Sequence, residues 1–224
     1  MKKLFFSLSL LTCMSAVNAQ MLTFDVAAKY AYSATAMFNK NISDLGASQD
    51  YDVAYSQNYG AALSVNYKFI GVGAELMFGN FICAYQGGET VASSYKSNVK
   101  LTTTQIPLYL RLGGEEGSFS EFGVVMNNVR SATYSYASTL IDPPATNDVT
   151  DEYQNFLGYM FGFGARMKLK KIPLAVSLSS RFMYSPNDAG GVDAMGTSLS
   201  IYPSEYKTNA ASVGIHFGMV YLIH

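Results

Sequence analysis

The sequence has little charge, few cysteines and no tryptophan. Of its 224 residues, 14% are charged, whereas a typical soluble domain has about 25%. Cys13 lies in a leader-like N-terminus, so Cys83 would be alone in the mature chain, which excludes an intramolecular disulfide framework. The formal net charge of −1 shows no excess of basic residues, so nothing indicates a nucleic acid as partner.

Long apolar runs are also missing. After residue 20 no run of about 20 apolar residues occurs, so we expect no transmembrane helix. Helices and closed barrels are the only spanning structures that satisfy every backbone polar group in lipid. If the mature chain enters a membrane, we therefore expect it to do so as a closed β-barrel.

The N-terminus has the three parts of a secretory signal peptide. Two lysines at residues 2–3 form a positive region, residues 4–11 form a short apolar region, and residues 17–19 offer a cleavage site. The apolar region is too short to span a bilayer as a helix. We predict that residues 1–19 are a cleaved signal peptide and that residues 20–224 form one mature domain.

Beyond residue 20 the hydrophobic pattern has a period of two, which is typical of β-strands. In the last segment, large apolar residues alternate with residues that are mostly small or polar. The large ones are Val213, Ile215, Phe217, Met219, Tyr221 and Ile223. The same alternation marks eight segments: 22–38, 57–69, 71–86, 99–113, 118–136, 153–169, 172–186 and 206–223.

The links between these segments alternate in length. Long polar links fall at 39–56, 87–98, 137–152 and 187–205, and short ones at Ile70, 114–117 and 170–171. Long extracellular loops that alternate with short periplasmic turns are typical of bacterial membrane barrels. The sequence therefore predicts an all-β protein: an eight-stranded antiparallel transmembrane β-barrel with short periplasmic turns and four long extracellular loops.

Charged residues in the predicted strands share a face with glycine, alanine and serine, and the opposite face is bulky and apolar. A soluble barrel would turn its apolar face inward. Eight strands enclose a narrow lumen that side chains just fill, and opposite charges can pair there. We therefore predict an inward network of charges. Its members are Asp25, Lys29, Lys68, Glu75, Arg111, Glu121, Arg166 and Arg181.

Two positions do not fit a regular strand. Pro107 lies inside a strand pattern, where it removes a hydrogen-bond donor from the ladder, and we predict a local bulge there. Arg130 is out of register with its segment, and a bulge near the extracellular rim would explain that.

Short stretches of the chain resemble a known family. The leader that ends at Ala19, residues 105–112 and the strand start at residues 122–123 resemble small outer-membrane β-barrels of the OmpX-like and PorT-like kinds. The C-terminal stretch is similar to the signal that the barrel-assembly machinery reads, although the chain ends in His224 and not in an aromatic residue. The matching positions are His216, Gly218, Tyr221 and Ile223. The resemblance implies location in the bacterial outer membrane, with membrane lipid and the assembly machinery as partners.

No residue pattern in the sequence predicts a catalytic, metal or cofactor site. His216 lies on the lumen face without a neighbouring serine pattern, and Cys83 has no clustered histidines. We predict a non-enzymatic barrel, plugged by its own charged side chains, whose loops bind an unknown extracellular ligand or serve the envelope structure. A small porin-like channel, a PorT-like accessory of protein secretion and a lipid-modifying enzyme are the alternatives. Bulky residues predicted to face inward, such as Tyr109 and Phe156, argue against the channel.

Overall fold

The computed structural model of the protein describes residues 22–43, 50–88, 94–138, 141–191 and 207–223. The predicted signal peptide and His224 lie outside the described residues. No helix in the described part of the chain is long and apolar enough to cross a membrane. The elements, in chain order, are β1 (Leu22–Phe38), α1 (Lys40–Ser43), β2 (Asp50–Asp52), β3 (Ala54–Tyr67), β4 (Ile70–Gly87), β5 (Tyr95–Gly113), β6 (Gly117–Ser138), β7 (Ile141–Asp148), a 3₁₀ turn (Thr150–Glu152), β8 (Phe156–Lys168), β9 (Leu174–Ser185) and β10 (Asn209–Ile223).

Eight of the strands form a closed ring. Around the ring the order is β1, β3, β4, β5, β6, β8, β9 and β10, and every neighbouring pair is antiparallel. The first and last strands then pair with each other, from Phe24 opposite Ile223 to Phe38 opposite Asn209. The eight-stranded antiparallel barrel predicted from the alternating pattern is confirmed.

The outer face of the barrel is apolar and the inner face is largely polar. Along β10, for example, Val213, Phe217 and Ile223 are exposed, whereas Gly218 is buried inside. At a rise of about 3.3 Å per residue and a tilt of about 40°, the strand from Ile223 to Val213 climbs about 25 Å along the barrel axis. That height matches the apolar band of a membrane barrel.

Short links close one end of the barrel, at residues 68–69, 114–116 and 169–173. The first turn lies before Ile70, which pairs with Tyr67 and begins β4, so our placement of the turn at Ile70 was wrong. The links at the opposite end span 39–53, 88–94, 139–155 and 186–208 and include α1, β2 and β7. Because β4 and β5 extend further than their patterns indicated, the second of these links is shorter than predicted.

The two irregular positions behave differently. The register between β5 and β6 shifts between Thr102 and Thr103, whose partners are Ser131 and Val129, so Arg130 is the extra residue of a bulge. The bulge predicted there is confirmed. Pro107 keeps the register of both neighbouring strands, so the bulge predicted there was wrong. The missing N–H group interrupts hydrogen bonding without displacing the strand.

Strands β4, β5 and β6 continue beyond the apolar band on one side of the barrel. Their extensions add β2 beside β4 and β7 beside β6. The outward residues of this part of β5 are polar, and they are Lys96, Asn98, Lys100 and Thr102. The ring therefore supports a small additional sheet at the end opposite the short turns, which no single segment pattern indicated.

Candidate functional site in the barrel lumen

The lumen contains a connected set of ionised side chains. Seven of the eight predicted charges are buried inside the ring: Asp25, Lys29, Glu75, Arg111, Glu121, Arg166 and Arg181. Glycines on neighbouring strands provide the space that Arg181 and the adjacent Tyr109 occupy. A Cβ atom on Gly162 would lie 2.9 Å from Cγ of Arg181, and one on Gly73 would lie 2.4 Å from the ring of Tyr109.

Glu75 on β4 binds two bases from across the lumen. Arg181 on β9 donates from its two terminal nitrogens to the two Glu75 oxygens, each at 2.7 Å. Lys29 on β1 lies with Nζ 3.2 Å from Oε1 of the same carboxylate. A bidentate arginine–carboxylate pair of this kind is among the stronger polar contacts in proteins, because both bonds are charge-assisted.

Glu121 on β6 joins two arginines. Its Oε1 accepts from Nε and a terminal nitrogen of Arg111, at 3.0 and 2.7 Å. Its Oε2 accepts from Nε of Arg181 at 2.8 Å. The Arg111 guanidinium also lies 4.7 Å from the Phe119 ring centroid, and both arginines lie over Tyr109. Glu121, fully buried, is the centre of the network.

Asp25 on β1 continues the network towards the end with the short turns. Arg166 on β8 donates to its Oδ2 at 2.7 Å, and a terminal nitrogen of Arg111 lies 3.9 Å from the same atom. Ser64 and Asn66 on β3 also donate to it, at 3.1 and 2.9 Å. The network therefore runs without a break from Lys29 to Arg166.

The network carries a small surplus of positive charge. Four bases and three acids leave one net positive charge among these seven buried groups. Each carboxylate has at least two basic neighbours, so the acids and bases of the network pair with one another. No carboxylate of the network is therefore an obvious acid or base for catalysis. Chemically, the network acts as a crosslink that joins six strands through their side chains.

Lys68 does not belong to this network. It has a positive φ of 54° in the turn between β3 and β4 and is exposed. Its Nζ lies 5.3 Å from the centroid of the Tyr67 ring. The inward face of β3 ends at Asn66, because the strand turns before the next inward position. Our placement of Lys68 in the lumen was wrong.

The half of the lumen away from the short turns is filled by an apolar cluster that the sequence did not indicate as a unit. Strand residues meet there across the barrel: the rings of Phe81 on β4 and Phe156 on β8 lie 5.7 Å apart, edge to face. Residues outside the ring complete the cluster, and Ile42, Tyr153 and Ala189 are all buried in it. The sequence predicted the inward positions of Tyr109 and Phe156, but it did not predict the contribution of the links.

Hydrogen bonds hold these linking residues over the mouth of the barrel. The backbone amide of Asn39 donates to the Tyr51 hydroxyl at 2.9 Å, and its side chain donates to Thr208 at 3.0 Å. The backbone amide of Gln154 donates to the carbonyl of Ala189 at 3.0 Å. Segments from three different links therefore meet above the apolar cluster.

An exposed carboxylate fixes the turn that presents Tyr153 to the cluster. The backbone amide and hydroxyl of Thr150 both donate to Asp148, at 3.0 and 2.6 Å. These hydrogen bonds hold the pKa of Asp148 below its ordinary value. The same hydroxyl accepts from the backbone amide of Ala132 at 2.9 Å, which ties the turn to β6.

A small cavity separates the charge network from the apolar cluster. Its volume is about 30 Å³, and Arg181, His216, Asn58, Phe81 and Met160 are among its lining residues. Nδ1 of His216 and Oδ1 of Asn58 have no hydrogen-bond partner within the described chain. A cavity of this volume has room for roughly two water molecules.

The four positions that resemble an assembly signal all lie on β10. His216 and Gly218 face the lumen, and Tyr221 and Ile223 lie exposed on the outer face. A Cβ atom on Gly218 would lie 2.5 Å from the Ser177 hydroxyl. Their role in assembly stays a prediction.

A closed ring of eight strands with an apolar outer face and an inner face of paired charges is the fold of a small outer-membrane β-barrel. No family model matches the sequence, and a search of curated proteins finds no relative. Among solved structures, the chain is similar to the outer-membrane protein OprG of Pseudomonas aeruginosa. The identity is 12% and the TM-score 0.47, over 90% of this chain and 96% of that one.

Two further solved structures of the same fold are similar at lower scores. Neisserial surface protein A has 9% identity and a TM-score of 0.42, over 88% of this chain and 96% of that one. The attachment invasion locus protein of Yersinia pestis has 10% identity and a TM-score of 0.37, over 89% and 99%.

Proposed function

We propose that the protein is a non-enzymatic barrel of the bacterial outer membrane with a sealed lumen. Its extracellular sheet and links would then bind a ligand outside the cell or serve the structure of the envelope. The observation that carries the proposal is the double closure of the lumen. The charge network around Glu121 blocks the half near the short turns, and the apolar cluster around Phe81 blocks the other half.

Membrane location is supported by the chemistry of the outer face. Large exposed apolar side chains surround the ring, and examples from opposite sides are Leu63, Leu108, Phe161 and Phe217. Such a surface would be strongly unfavourable in water and is suited to lipid. Lipid would be the constant partner, and the barrel-assembly machinery a partner during biogenesis.

Export by a cleaved signal peptide is open to a direct test. If residues 17–19 direct cleavage, mass spectrometry of the protein from the envelope fraction should find Gln20 as the first residue. Ala19→Leu should leave the leader attached, because signal cleavage requires a small residue there. An intact leader on the parent protein, or a mature chain in the soluble periplasmic fraction, would contradict the proposal.

A sealed lumen predicts that the barrel conducts no ions. The purified protein in a planar bilayer should show no steady current, because the cavity beside Arg181 holds about two waters. A general porin, reconstituted in the same way, serves as the positive control for insertion and recording.

The same recording tests the channel alternative. A stable, reproducible conductance of the parent protein would show that the network and the cluster do not seal the barrel. Glu121→Ala and Phe81→Ala would then indicate which of the two closures opens, since each removes the centre of one of them.

A further inference from the structure

A shallow depression lies on the outer surface of the barrel, where the apolar band meets the extracellular sheet. Aromatic side chains form its lower part, and hydroxyl, amide and guanidinium groups form its upper part. The lining residues are Tyr59, Phe78, Gly79, Asn80, Thr102, Thr103, Thr104 and Arg130. The depression therefore has an apolar side that faces lipid and a polar side that faces the aqueous phase.

The β-bulge directs Arg130 to this depression. As the extra residue opposite Thr102 and Thr103, Arg130 projects outward from β6. Its Nε donates to the hydroxyl of Thr104 at 3.0 Å, which fixes the guanidinium beside the depression. The terminal nitrogens make no hydrogen bond or ion pair with any residue that the structure describes. They are therefore available to an external acceptor.

A second base lies one step further out. Lys100 is exposed on the same face of β5 as Thr102, and it pairs with Ile82 on β4 and Thr133 on β6. It forms no ion pair within the described ranges. Lys96, four positions beyond it, differs because its Nζ lies 3.6 Å from a carboxylate oxygen of Asp52. Positive charge without an acidic partner is thus concentrated at Lys100 and Arg130.

The depth of these bases is that of a lipid headgroup. Leu112 marks the lower end of the outward apolar side chains of β5, and Thr102 lies ten residues higher on the same face. At a rise of about 3.3 Å and a tilt of about 40°, this places Thr102 about 25 Å above Leu112, at the upper boundary of the apolar band. Lys100 and Arg130 lie next to that boundary.

We propose that Arg130 and Lys100 bind the phosphate group of a phosphorylated lipid in the outer leaflet. The acyl chains of that lipid would then pack downward over Phe78 and Tyr59. Arginine suits this role because its planar fork of donors matches the oxygens of a phosphate. The inference rests on the proposed location in the outer membrane and adds a specific lipid site to it.

The test uses the assembled barrel in phosphatidylcholine nanodiscs that contain diphosphoryl lipid A. Native mass spectrometry measures the fraction of protein that keeps one lipid A molecule. We expect Arg130→Gln combined with Lys100→Gln to lower the apparent affinity about tenfold, as the loss of charged hydrogen bonds should. Lys96→Gln is the matched control, since it removes a base from the same face that already has a partner, and it should bind like the parent.

Lipid A without its phosphates is the second control, and the parent should bind it as weakly as the double variant binds the phosphorylated form. Equal binding of phosphorylated lipid A by the parent and the double variant would overturn the inference, as would equal binding of the two lipids by the parent. The shift in gel mobility on heating reports assembly of the barrel in every sample. A parent protein that fails to assemble in lipid would overturn the proposed membrane function as well. Failure of the lipid site alone would leave assembly intact, so the two failures are distinguishable.

Discussion

Replacing Glu121 with alanine should destabilise the barrel by about 3–5 kcal/mol, the range for removing one partner from a buried ion pair. The carboxylate is fully buried and accepts hydrogen bonds from Arg111 and Arg181. Its loss would leave Arg111 with Asp25 alone, at 3.9 Å, and would raise the net positive charge of the network by one. Urea unfolding in lipid vesicles, followed by the change in gel mobility, measures the effect.

Glu115→Ala provides the matched control. Glu115 forms an ion pair with Lys168 at the end of the barrel with the short turns, where both side chains are partly exposed. Exposed pairs of this kind contribute about 0–1 kcal/mol, so the variant should unfold close to the parent. Equal stability of Glu121→Ala and the parent would show that the buried network does not stabilise the barrel.

The sidedness of the strands could be predicted from the sequence because it depends on a local rule. Successive side chains in a strand point to opposite faces, so the charge of Arg166 and the bulk of Phe163 are assigned to opposite sides once the strand is recognised. The same rule failed at Lys68, because it holds only within the strand. A positive φ at that lysine ends the alternation, and no residue type in the turn predicts where the strand stops.

The pairing of the charges could not be predicted. Which acid meets which base depends on the stagger between strands around the closed ring, and that is a property of the whole barrel. Thus Glu75 binds Arg181, which is 106 positions away in sequence, and Asp25 binds Arg166 at a separation of 141.

The apolar cluster was missed for a related reason. Ile42 and Ala189 lie in links that are polar on average, so composition assigned these links to solvent. Burial of the two residues depends on other segments that pack above the mouth of the barrel. By contrast, the Arg130 bulge could be predicted because a charge out of register within a strand pattern is visible locally.

The second large effect is expected at the lipid-facing surface. Phe161→Arg should prevent or strongly impair insertion, because an arginine near the middle of the bilayer costs about 2–4 kcal/mol. Phe161 is 44% exposed on β8 and pairs with Phe122 and Phe182 on the neighbouring strands. The yield of heat-modifiable protein after refolding into vesicles measures insertion.

An arginine placed at a different depth in the membrane tests whether the effect comes from the lipid core or from a general intolerance of arginine on the outer face. Ser118→Arg places the same side chain on the outer face beside the short turn before β6, where the cost should fall to about 0–1 kcal/mol, so this variant should insert almost normally. Phe161→Leu keeps the site apolar and should also insert. Normal assembly of Phe161→Arg would mean that lipid does not cover this face, and the inward and outward faces would then have to be exchanged. If the two single variants, Phe161→Arg and Ser118→Arg, were both strongly impaired, arginine would disturb the outer face at any depth. That result would contradict an apolar band of limited height.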